Sequence, residues 1–193
     1  LMQRYRDAKA FFHMSSSSVY RDKGDPAATY AEGDDLGGVT PYAPHYGMSK
    51  LASEAVVRFQ SRALGLPTIM ARLNVAYGTS GHGGLPMVLF EFMKGGVPYQ
   101  QIPGQEAYAS PIHEDDIVTQ VVGLLGHAEV GAPAVNLAGD EVTTLEAIIR
   151  YIEELTGETM TFTESDHLLF PTQAADVTTR QELAGLCSMN WRD

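Results

Sequence analysis

The chain has 193 residues, a formal net charge of −11, 44% hydrophobic and 19% charged residues, the profile of a globular rather than a disordered protein. A surface that acidic repels phosphate backbones and anionic headgroups, which argues against nucleic-acid and membrane partners, and the longest apolar runs fall short of the roughly 20 residues that span a bilayer. The single cysteine, Cys187, cannot form an internal disulfide, and the mixed, charged opening is no signal peptide, so the expected location is cytoplasmic.

In chain order, Met2 to Lys9 reads as the end of a helix, and the start on Leu1 is that expected of a chain cut from a longer one. Ala10 to Met14 (AFFHM) is a short apolar run, the pattern of a strand buried on both faces of a parallel sheet. It ends in four serines, Ser15 to Ser18, and Arg21 to Pro44 is a long loop rich in Gly, Asp and Pro. Residues His45 to Leu64 follow as a helix, with Pro44 before it and Gly65 placed as its C-cap. Leu51, Ala55, Phe59 and Arg62, with Ala52, Val56 and Ala63 beside them, form its expected buried face.

Leu66 to Leu73 is the next strand, and Gly83 to Gly96 carries a short helix. An irregular region, Val97 to Pro111, leads into a helix whose expected buried side is Ile117, Val121, Val122, Leu124 and Leu125. Pro133 to Gly139 reads as a strand, and Thr143 with Glu146 has capping-box spacing before an amphipathic helix. Thr159 to Ser165 is a candidate last strand. Strands alternating with helices point to an α/β fold around a parallel sheet.

The chemistry concentrates at Tyr46 and Lys50, one turn apart on one face of a helix start. A free phenol, with a pKa of about 10, is a poor base at neutral pH; an ammonium one turn away favours the phenolate and brings proton transfer within reach. Ser16 and Asn74 each follow a strand, where open parallel sheets collect ligands. A hydroxyl, a phenol and an ammonium at one cleft make a proton-transfer site for an alcohol or carbonyl.

Four segments, HMSSSSVY (His13 to Tyr20), PHYGMSKLASE (Pro44 to Glu54), ARLNVAYG (Ala71 to Gly78) and SPIHEDDI (Ser110 to Ile117), resemble the extended short-chain dehydrogenase/reductases, the NAD-dependent epimerase/dehydratase family. The resemblance implies a partial Rossmann-like, doubly wound parallel sheet with a small C-terminal α/β substrate-binding region. The whole chain would then be one partial domain, with residues 1 to about 80 the second half of the dinucleotide-binding sheet and about 81 to 193 a substrate-binding region interleaved with it.

By the same resemblance, Ser16 is the hydroxyl that bonds the reacting oxygen, Tyr46 the acid/base, and Lys50 the group that holds the nicotinamide ribose and lowers the tyrosine pKa. Ser15, Tyr46, Lys50, Leu73 and Asn74 border NAD or NADP, Ser16, Ser17 and Asn74 face the substrate, and no metal is required. Nicotinamide would do the hydride chemistry. A homodimer through the helix bearing Tyr46 is implied as well.

Departures narrow the reading. Ser17 and Ser18 stand where the family's dehydratases carry Asp-Glu, and Ala109 and Ser110 where many sugar-nucleotide epimerases carry an Arg-Asp pair whose arginine grips the diphosphate. The phosphate-binding Gly-rich loop is expected before Leu1. GTSGHGG (Gly78 to Gly84) lacks the acidic residue about 20 positions on that would complete a ribose site. The cluster His113, Glu114, Asp115 and Asp116 reads as three acids complementing a helix dipole rather than as metal ligands. The expected activity is an NAD(P)-dependent oxidoreductase or epimerase acting on an alcohol or carbonyl. Its rivals are a non-catalytic dinucleotide-binding or regulatory protein on the same scaffold, and an inactive fragment.

Overall fold

The computed structural model describes residues 1–80 and 83–193. Strand β1 (Phe11–Ser16) leads through a 3-10 turn (Ser17–Val19) and a long loop to helix α1 (Tyr46–Leu64), then β2 (Thr68–Leu73) and the short β3 (Ala76–Tyr77). Helix α2 (Gly84–Gly95) is followed by β4 (Tyr99–Gln101), β5 (Tyr108–Ala109) and β6 (Ile112–His113). Then come α3 (Glu114–Leu125), β7 (Ala134–Leu137), β8 (Thr143–Thr144), α4 (Leu145–Thr156), β9 (Phe162–Glu164) and α5 (Thr178–Ala184).

The main sheet has the order β1-β2-β7 and both pairings are parallel. Side chains alternate across β2 as a pleat requires. Ile69 and Ala71 enter a core with Ile112, Leu124, Val135 and Leu137, while Met70 points the other way, to Val57 of α1, Leu66 and Ala132. Helices therefore cover both faces, the doubly wound arrangement expected. A second core lies off the end of the sheet, where Leu89 and Met93 of α2 meet Leu145, Ile148 and Ile149 of α4 around Tyr99.

Several local expectations shift. Residues 2–8 form hydrogen-bonded turns rather than a helix, too few to repay helix nucleation. Strand β1 runs on through Ser15 and Ser16, and Phe11 to Met14 are only half-buried because β1 is an edge of this sheet. The region Val97 to Pro111 is not wholly irregular, since β4 pairs with β9 and β5 with β8. The cap of α4 is Thr144, whose hydroxyl accepts from Ala147 N, not Thr143.

The largest shift concerns α1. Its buried positions are Gly47, Glu54, Val57 and Ser61, whereas Val56 and Phe59 are 60% and 65% exposed. Polar side chains hold the inner face because each has a partner there: Ser61 Oγ donates to Leu66 O and accepts from Gly131 N, and Glu54 meets Arg72. In α3, likewise, Val122 is exposed while Asp116, Gln120 and Leu124 are buried.

Candidate active site

The carboxyl ends of the main sheet finish level, Ser16 opposite Leu73 and Leu73 opposite Leu137. Ser16 also starts the 3-10 turn, its Oγ accepting from Ser18 N at 3.2 Å. Gly47, the second residue of α1, lies tight against that turn: a Cβ there would stand 2.3 Å from Ser18 O and 2.8 Å from Gly38 O. Only a residue without a side chain lets the helix start this close, and the approach fixes Tyr46 beside the serines.

Ser16, Ser17, Ser18, Tyr46, Leu73 and Asn74 all line one cavity of about 420 Å³ between the sheet end and the second core. Tyr46 is 45% exposed at its mouth. One turn on, the Lys50 ammonium lies 5.7 Å from the Tyr46 ring centre and donates to Met14 O at 3.1 Å. Lys50 and Ser15 are not part of the cavity wall. Ser15 is buried behind it and donates to Glu54 Oε1 at 2.6 Å.

Asn74 is bound up in holding loops together. Its Oδ1 accepts from Val75 N and Ser110 N, and its Nδ2 donates to Gln173 O. Gln173 in turn fixes two serines: Ser17 Oγ donates to its Oε1 at 2.8 Å, and its Nε2 donates to Ser18 Oγ at 3.3 Å. Sequence reasoning did not find Gln173, because nothing local marks a glutamine in an irregular tail as a wall of the site.

Beneath the site runs a buried polar chain that sequence reasoning also left without a role. Arg72 grips Glu54 with two bonds, Nε to Oε1 at 3.0 Å and Nη2 to Oε2 at 2.9 Å, and both residues are essentially sealed from solvent. Arg72 Nη1 also donates to Tyr20 OH, which donates to Asn136 Oδ1 on β7. Burial works against the Glu54 charge, but the bonds from Arg72 and Ser15 outweigh it and hold the carboxyl below its ordinary range. Burial pushes Tyr20 up to about 12, keeping it a neutral donor. The signal was an arginine inside the otherwise apolar TIMARL strand, since a charge buried among aliphatics requires a partner.

The donor set fits the nicotinamide end of a dinucleotide. A lysine ammonium with one protein acceptor has further N–H groups for ribose hydroxyls, and it stands beside a phenol at the carboxyl end of a parallel sheet. In GTSGHGG, the described residues Thr79 and Ser80 leave no backbone donor open to a pyrophosphate. Glu114 already occupies the backbone N–H groups of Thr79 and Ser80, and Gly81 and His82 lie outside the described residues.

In the cluster His113 to Asp116, Asp116 accepts from Ser188 N and Met189 N, and His113 Nδ1 caps α3 by accepting from Asp115 N. Among the described residues no helix is long and apolar enough to cross a membrane.

The sequence model of the NAD dependent epimerase/dehydratase family matches residues 1–138. A curated protein of Bacillus subtilis (strain 168), the uncharacterized UDP-glucose epimerase YtcB, is 23% identical over 169 residues, 86% of this chain and 50% of that protein. Among solved structures, the UDP-glucuronic acid 4-epimerase of Bacillus cereus in complex with UDP-glucuronic acid and NAD is 20% identical at a TM-score of 0.75, covering 98% of this chain and 60% of that one. The UDP-glucose 4-epimerase of Thermotoga maritima with UDP-glucose is 18% identical at a TM-score of 0.76, covering 100% and 63%. A dTDP-glucose 4,6-dehydratase of Bacillus anthracis in complex with NAD is 18% identical at 0.75, covering 99% and 60%. At these identities the structures establish a shared Rossmann-type fold. The chain spans about half the length of the curated relative it matches.

Proposed function

The chain belongs to the NAD dependent epimerase/dehydratase family, and from that premise we propose that it carries the proton-transfer half of an NAD(P)-dependent oxidoreductase or epimerase acting on an alcohol or carbonyl. One observation carries the reading: Ser16 and Tyr46 line the same cavity at the end of the sheet, with Lys50 one turn below. A dinucleotide, when bound, would supply hydride acceptance and return; all else would fall to the protein. In oxidation, Tyr46 Oη takes the hydroxyl proton as the carbonyl forms, and in reduction it returns that proton to the oxygen. Ser16 Oγ holds the same oxygen in line. Lys50 stands beside the phenol and anchors the ribose hydroxyls, with Leu73 and Asn74 shaping the cavity wall and Ser15 buried behind it.

Replacing Tyr46 by Phe removes the proton carrier and leaves the shape. Nicotinamide-dependent turnover by the full-length protein should fall at least about a hundredfold, the usual contribution of a positioned acid/base. Unchanged turnover would sink the assignment. We also propose that a second copy covers the outward face of α1, where Val56 and Phe59 lie open. Phe59→Glu should then shift the oligomeric state in sedimentation without changing the fold.

A further inference from the structure

The relatives above are described with nucleoside-diphosphate sugars, and the walls of this cavity are poorly built for one. Among the described residues no lysine, arginine or histidine lines it. Tyr108, Ala109 and Leu145 belong to its wall, and the charges that act on Tyr108 are negative. Glu106 accepts from Tyr108 OH at 3.2 Å, and Glu146 follows Leu145 with both carboxylate oxygens buried. Ala109, the position of the family's diphosphate-gripping arginine, is itself buried at 2% exposure. Its neighbour Ser110 is fully buried, its Oγ accepting from Ala175 N. A diphosphate moved into this space would lose water and gain no cation.

The wall is otherwise apolar, with Leu85, Leu145 and Phe170 facing the cavity and the Tyr42 ring 4.8 Å from that of Phe170. Its polar groups are neutral hydroxyls and amides, two of them held by Gln173. Helices α1, α2 and α4 all start at the cavity wall, at Tyr46, Gly84 and Leu145; the N–H groups of Tyr46 and Leu145 already donate to Ala43 O and Ala107 O, and the Gly84 backbone is pressed against Ala76 O of β3.

We infer that the cavity selects an uncharged substrate, an alcohol or carbonyl compound with an apolar face, and discriminates against nucleoside diphosphates. This rests on the nicotinamide-dependent reading of the site but is tested apart from it, by equilibrium binding rather than turnover. Calorimetric titration of the full-length protein with UDP, UDP-glucose, methyl glucoside and a panel of neutral secondary alcohols and ketones supplies the measurement.

The expected result is no detectable heat with UDP, a neutral ligand bound from the panel, and UDP-glucose no more than about tenfold tighter than methyl glucoside, less than one charge-assisted contact gives. Ala109→Arg should then raise UDP affinity about tenfold or more; Tyr108→Lys, at a half-exposed position on the same wall, serves where the arginine disturbs the core. UDP binding to the wild type, or failure of every neutral ligand to bind, overturns the inference. Failure of the Tyr46→Phe test instead leaves this binding result intact and removes only the chemistry.

Discussion

Glu54 on α1 and Glu146 on α4 both turn a carboxylate away from water, yet only the first meets a partner. Glu54 accepts two bonds from Arg72 and one from Ser15. Both oxygens of Glu146 are buried with no hydrogen-bond partner among the described residues, as is the hydroxyl of Tyr99 in the same core. Burial, helped by the charge of Glu106, outweighs the nearby backbone N–H groups of Glu146 and Ala107 and pushes the Glu146 carboxyl above its ordinary value. The paired charge ties β1, β2 and α1 into one block beneath Ser16 and Tyr46. The unpaired one follows Leu145, which belongs both to the second core and to the cavity wall. Buried charge is paired beneath the residues that would move protons and unpaired beside the wall where a substrate body would rest.

Breaking the pair tests this contrast hardest. Arg72→Met leaves a carboxylate buried without its cation and should lower unfolding stability by about 3–5 kcal/mol in denaturant titration. The double variant Glu54→Leu with Arg72→Met should recover much of that loss, because the penalty lies in orphaning one charge. A double variant as damaged as the single would mean that the pair stabilises outright.

At the other site the sign reverses. Glu146→Gln removes a charge that burial disfavours but leaves a buried amide, so the protein should gain only on the order of 1 kcal/mol at neutral pH. Stability unchanged or reduced would show that this carboxylate is solvated or paired in solution.

How much of this could be read in advance divides along the same line. Residues brought together by one strand end and one helix start, such as Ser16 and Tyr46, were legible because each lies in a short motif whose spacing carries its geometry. The inward face of α1 was not. Apolar periodicity picked out Val56 and Phe59, and the pattern is silent on whether an apolar stripe faces its own core or another surface. Glu54 and Arg72 meet across 18 positions, and Ser17 meets Gln173 across 156. Contacts of that separation are set by the packing of whole elements, which local pattern does not encode.

The two glutamates should also separate by pH. Each starts from the ordinary carboxyl value of 4.5 in the unfolded chain. Glu54 lies lower when folded, so its contribution is present above pH 4.5 and lost as pH falls through the folded value. Glu146 lies higher when folded, so it costs nothing well below pH 4.5 and destabilises progressively as pH rises from there to its folded value. The Tm gap between wild type and Glu146→Gln should therefore open as pH rises through this window. A gap that is constant with pH would assign the stabilisation to packing rather than charge.

The finest test concerns Tyr99, fully buried with its hydroxyl unbonded and its ring against Phe162 and Phe170. Burial and the nearby Glu146 charge both push its phenol upward, so it stays neutral at any working pH. Tyr99→Phe keeps the ring contacts and deletes only the hydroxyl. An unpaired donor contributes nothing on folding and forfeits its hydration, so the change should be neutral or stabilising by about 1 kcal/mol. A loss of comparable size would mean the hydroxyl is bonded in solution. Glu146 would then be the acceptor to test, since Tyr99→Phe should lose its effect in the Glu146→Gln background, and the contrast between the two glutamates would narrow to a difference in partner.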